Sequence, residues 1–174
     1  MIEPEEIIES KVVALLGAAN VGVFVIGALV PAPDGVEKNA PDTYVSVFAD
    51  VASQDMDWQG PGVPCTYAVR VGVNVAYADD KTGAVFRNVC RAVRGALATL
   101  TGDGCAALDG DGFRCDSFML GSTETSQTYA GEAGGMAKSY NATVTGRHYD
   151  CTGAAPSATE SSTRTETTEQ QEDN

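Results

Sequence analysis

The 174 residues, 43% of them hydrophobic, suffice for one domain with a core of its own and are short for two. The 24 acidic residues outweigh the 11 basic ones, giving a formal net charge of −13. That balance excludes general nucleic-acid binding, which needs a basic footprint. Five cysteines (Cys65, Cys90, Cys105, Cys115 and Cys151) show no CxxC spacing. They read as mostly reduced thiols, hence a chain that folds in the cytosol, although Cys105 and Cys115 flank a Gly/Asp-rich turn where pairing in an oxidising compartment stays open.

The predicted order is helix 4–19, strand 21–30, loop 31–42, strand 43–52, loop 53–64, strand 65–77, helix 80–100, loop 101–112, strand 113–121, loop 122–135, strand 136–148 and tail 149–174. Residues 12–30, VVALLGAANVGVFVIGALV, approach the length of a membrane span. Three glycines weaken a continuous helix there, and the flank is acidic where a signal peptide wants a basic start. The run therefore divides. Pro4 and the following acids suit a helix N-terminus, Ile8, Val12, Leu15, Leu16 and Ala19 mark one face, and Asn20 breaks the helix before a β-rich stretch. That strand is apolar on both sides, which predicts a central place in the sheet.

Residues 66–77, TYAVRVGVNVAY, alternate with period 2. Tyr67, Val69, Val71, Val73, Val75 and Tyr77 make a buried face. The opposite face, Thr66, Ala68, Arg70, Gly72, Asn74 and Ala76, is too small and plain for a solvated surface and too polar for a core. The helix that follows starts at a cap, Asp79 or Asp80, and is followed by Gly102. Its inner stripe, Val85, Phe86, Val89, Cys90, Val93, Leu97 and Leu100, contributes on the order of 10 kcal/mol gross when buried. Arg87, Arg91 and Arg94 form an outer stripe, with Lys81 before them. A solvated helix face and a contact with the Glu3/Glu5/Glu6/Glu9 cluster, within the subunit or from a neighbour, both fit that stripe.

The fold class predicted is α+β: a mixed, mostly antiparallel sheet of about five strands with two helices packed on one face. The domain spans 1–149, and 150–174 form a disordered acidic Ser/Thr/Glu-rich tail of charge −5. With both helices on one side, nothing remains to cover the other, and a subunit contact through Arg70 and Asn74 is favoured over an exposed face. Trp58, in the loop SQDMDWQGPGVP, reads either as an exposed interface anchor or as a lid folded over the core.

Signatures of catalysis are scarce. His148 is the single histidine, and there is no G-x-S-x-G elbow, P-loop or H-E-x-x-H motif. GDGCAA (102–107) follows a helix rather than a strand, which removes the context a dinucleotide fingerprint needs. Asp109 and Asp111 resemble the start of a calcium loop, but Phe113 and Leu120 occupy ligand positions, so a tight turn is expected. No catalytic, cofactor-binding or metal-binding residue is nominated, and no cofactor is expected.

The layout resembles the tail terminator and related neck or tail-completion proteins of long-tailed bacteriophages. The matching parts are the EPEEIIESKVVALL helix, the strand ending in LVP, YVSVFADVASQDMD, TYAVRVGVNVAY leading into the long helix, GFRCDSFMLG and MAKSYNATVTGRHY, together about residues 2–149. The acidic tail is no general feature of that family. The resemblance implies a non-enzymatic ring, commonly a hexamer, that caps a tail tube and joins it to the head. Its partners would be copies of itself, the tail tube protein and neck or connector proteins, with DNA only passing through a lumen and no membrane involved. The location implied is the virion, after assembly in the host cytoplasm. A monomeric tail- or capsid-associated binding module, a small ligand-binding domain or enzyme, and an exported surface protein are the other classes the sequence leaves open.

Overall fold

In the computed structural model, which describes residues 3–27, 43–76, 78–128 and 134–149, the apolar run beginning at Val12 is divided at Asn20. Helix α1 spans Pro4–Ala18, with proline in its first turn and Glu5 and Glu6 beside the positive end of its dipole. Asn20 turns to φ +47°, the left-handed region that asparagine tolerates, and the chain leaves as strand β1, Phe24–Gly27. Residues 28–30 of the predicted strand, the 31–42 loop and the acidic tail lie outside the described residues. No helix among the described residues is long and apolar enough to cross a membrane.

Strands β2 (Tyr44–Gln54), β3 (Val63–Ala76), β4 (Phe113–Thr128) and β5 (Gly135–His148) complete a five-stranded sheet of order β1-β2-β3-β5-β4. β1 lies parallel to β2, and every other pairing is antiparallel. The mixed α+β architecture agrees with the sequence expectation. The position of β1 does not: among the described strands it lies at the edge, and β3 is central. Its apolar character reflects the underside of α1, which packs on β1 and β2, rather than neighbours on both edges.

β4 also departs from expectation. Residues 121–128, GSTETSQT, continue the strand and pair with the first half of β5, so residues 122–128 of the segment expected to loop are strand, and 129–133 lie outside the described residues. Thr123 and Thr125 are β-branched and fit a strand; the stretch reads as polar because its side chains are exposed there. Two bulges, between Cys115 and Ser117 and between Leu120 and Thr123, shift the register along the way.

Helix α2 spans Ala84–Ala98, four residues later than its predicted start. Gly83 occupies the cap position at φ +71°, and Asp80 reaches over the intervening turn instead. The Phe86 N–H donates to its Oδ2 at 2.8 Å and the Thr82 hydroxyl to Oδ1 at 3.3 Å. Asp80 thus satisfies the helix end from outside it. A short 3-10 helix, Gly102–Leu108, leads into β4.

Both α-helices lie on one side of the sheet, α1 over β1 and β2 and α2 over β3 and β5. Ile7, Ile8, Val12 and Leu16 of α1 and Val89, Cys90, Val93 and Leu97 of α2 are buried against Val45, Val47, the odd-numbered residues of β3 from Cys65 to Val75, and Tyr140, Ala142 and Val144. Tyr67 and Phe113 meet edge to face at 5.5 Å and 89° at one end of this layer.

Candidate subunit interface

Alternation along each strand sends the other half of the side chains to the far side of the sheet. Pairing sets them in rows. Phe48, Arg70 and Asn141 lie across from one another on β2, β3 and β5. The next row is Asp50, Ala68, Thr143 and Met119; the one on the other side is Ser46, Gly72, Ser139 and Glu124. No helix among the described residues covers this face. Phe48 is 42% exposed and Met119 56%, two large apolar side chains that a solvated strand would not carry by preference.

The middle of the face is concave. A groove of about 460 Å³ runs between Phe48, Asp50, Arg70, Gly121, Asn141 and Thr143. Ala68, small and exposed on the central strand, lies among the groove's lining residues. Asn141 is held by a hydrogen bond from its amide to the Ser122 hydroxyl at 3.3 Å. Arg70 projects from the rim with no ion pair among the described residues. The one ion pair described on this face, Arg147 with Asp116 at 3.5 Å, sits at the β4 end and is nearly half exposed on both sides. Gly72 has a local reason to be small: a Cβ there would come within 2.8 Å of the Ser46 hydroxyl.

Arg70 and Asn74 therefore share the open face, as their alternation predicts. Arg87, Arg91 and Arg94 do not join them. They are exposed on the outer side of α2, on the opposite side of the sheet, and pair with none of Glu3, Glu5 and Glu6 within the chain. Trp58 stands apart from both groups, at the tip of the β2–β3 hairpin. Its indole lies over Gly60, where a Cβ would come within 2.6 Å of the ring, and it stays 43% exposed beside Met56, 80% exposed. It is not a lid over the core. Phe48 and Met119 are interface candidates absent from the sequence-based set; Phe48 carries a sequence signal all the same, as the aromatic outward position between buried Val47 and Ala49.

The remaining chemistry-bearing groups serve the fold. Asp109 accepts the Cys115 N–H at 2.7 Å, and Gly110 and Phe113 exchange backbone hydrogen bonds at 3.0 Å, so the calcium-like sequence is the tight turn expected of it. No group of three or more His, Cys, Asp or Glu among the described residues is placed to hold a metal. Cys65, Cys90, Cys105 and Cys115 are all buried free thiols. Cys115 is pushed up to about 12, first by burial and then by the Cys105 thiol beside it.

No family model matches the chain, and no curated protein matches it. Among solved structures it is similar to a chain from the virion of a native gene transfer agent particle, at 22% identity over 77% of this chain and 84% of that one, with a TM-score of 0.44.

Proposed function

We propose that this protein is a structural virion component that assembles into a homo-oligomeric ring, commonly a hexamer in proteins of this layout, terminating a phage tail tube and connecting it to the head. The observation that carries the reading is the sheet face on which Phe48 and Met119 stand exposed beside Ala68, Arg70 and Asn141, without a covering layer among the described residues. A neighbouring copy supplies that layer. The contact is heterologous, because an open sheet face on one copy meets a different surface on the next, and heterologous contacts close into rings when the rotation permits.

Arg70 and Asn74 lie within that contact, Phe48 anchors it, and Trp58 at the hairpin tip reaches a neighbour at its margin. The role is scaffolding rather than catalysis. The net charge of −13 suits a lumen through which DNA passes without sticking. Native mass spectrometry of the purified full chain tests the proposal: a closed oligomer is expected, and the Phe48→Asp variant is expected to remain monomeric with an unchanged circular-dichroism spectrum. A wild-type chain that stays monomeric at all concentrations, or an F48D oligomer as stable as wild type, contradicts it.

A further inference from the structure

On the helix-covered side, a groove of about 480 Å³ opens between the exposed flank of α2 and strand β5. Its floor is Cys90, Ala98 and Tyr140, and its rim carries three cations, Arg91, Arg94 and Lys138. A second recess of about 300 Å³ shares Arg94, Lys138 and Tyr140 and extends the groove toward Leu120 and Thr123. The Lys138 ammonium sits 5.4 Å from the centre of the Tyr140 ring, so it is held over the floor rather than swinging free. None of the three cations forms an ion pair with another described residue. Three cations without an ion pair among the described residues thus ring the groove, in a protein of net charge −13, a setting whose charge complements an acidic peptide.

We propose that this groove binds the chain's own acidic C-terminal segment, residues 150–174. That segment carries Asp150, Glu160, Glu166, Glu169, Glu172 and Asp173 against Arg164 alone. It can reach. Tyr140 lies in the groove and Tyr149 closes the described chain, nine residues on, a span of about 30 Å in a strand. Fully extended, 25 residues span at most about 80 Å, so the glutamates from Glu160 onward can come back to the rim. The acidic first turn of α1 is a poorer occupant, because it is tied into the fold where Ile7 packs against Gly110, while the rest of α1 lies over β1 and β2. The groove lies on the helix-covered side of the sheet and the open face on the other.

Zero-length carbodiimide cross-linking of the full chain, read by peptide mass spectrometry on an equal mixture of light and 15N-labelled protein, tests it. Lys138 is expected to couple to Glu160, Glu166, Glu169 or Glu172 within single-isotope products. The yield is expected to fall several-fold in Arg91→Gln/Arg94→Gln and in 0.5 M salt, while products of exposed Lys81 stay unchanged. Coupling of Lys138 to Glu3, Glu5 or Glu6, isotope-mixed products, or no Lys138 product at all would each overturn the proposal.

Discussion

The Tyr140 phenol, buried in the middle of β5, donates a hydrogen bond to the Cys90 carbonyl of α2 at 2.9 Å. The two residues are far apart in the chain, and this bond, with the ring's packing, fixes how α2 lies on the sheet. It also fixes the Arg91 and Arg94 rim against Lys138. Tyr140→Phe removes only the hydroxyl, and a loss of about 1 kcal/mol in urea unfolding is expected. Tyr140→Ala removes the ring as well and is expected to cost about 3–5 kcal/mol.

Asp80 contributes to the acid limb of stability. Burial pushes its carboxyl up, but the N–H groups of Phe86, Val85 and Ala84 together with the Thr82 hydroxyl push it down by more, and it rests below its ordinary value. A depressed carboxylate contributes stability above the unfolded value near 4 and loses it as pH falls. Asp80→Ala is therefore expected to cost about 1–2 kcal/mol at pH 7, with a smaller difference from wild type at pH 3. Equal differences at both pH values would show that the cap acts without its charge.

The alkaline limb runs the other way. Cys115 is raised to about 12, and burial raises the Cys90 thiol and the Tyr67 and Tyr140 phenols as well. Groups with raised values contribute fully below their unfolded values, about 8.5 for a thiol and 10 for a phenol, and lose that contribution as pH rises. Thermal midpoints are expected to hold between pH 6 and 8 and to fall steeply above pH 10. Phenolate absorbance should show Tyr67 and Tyr140 ionising only as the protein unfolds.

Gly146 lets two strands and a ring come together. A Cβ there would strike the Arg114 carbonyl oxygen and come within 2.6 Å of the Phe113 ring. The carbonyl belongs to a paired strand and cannot step aside, so Gly146→Ala is expected to cost about 1–3 kcal/mol. Gly95→Ala, at a helical site with open space around it, is expected to be neutral or stabilising in the same assay.

Alternation along β3 makes both sheet faces legible in the amino-acid order itself, down to the residues: the buried Val/Tyr side and the side of Ala68, Arg70, Gly72 and Asn74. The α2 stripe from Val89 to Leu97 and the break at Asn20 are legible for the same reason, a strong period or a residue with a distinctive backbone preference, whereas Val85, read into the stripe, is exposed in the first turn of the helix. Strand order is not. A short apolar strand looks the same at an edge as in the centre when a helix covers it, which is why β1 reads as central and lies at the edge of the described strands. The polar half of β4 escapes detection because its strand character comes from pairing with β5, and composition alone resembles a loop. The groove rim is half visible, since Arg91 and Arg94 mark α2 while Lys138 joins them only through the packing of α2 on β5.

The most direct measurement is the mass of the purified full chain under native conditions across a concentration series, with F48D alongside. A closed oligomer for the wild type and a folded monomer for the variant is the result expected if copies of the chain cover the Phe48 face. A wild-type protein that remains a monomer throughout, with Phe48 and Met119 left to solvent, would contradict it.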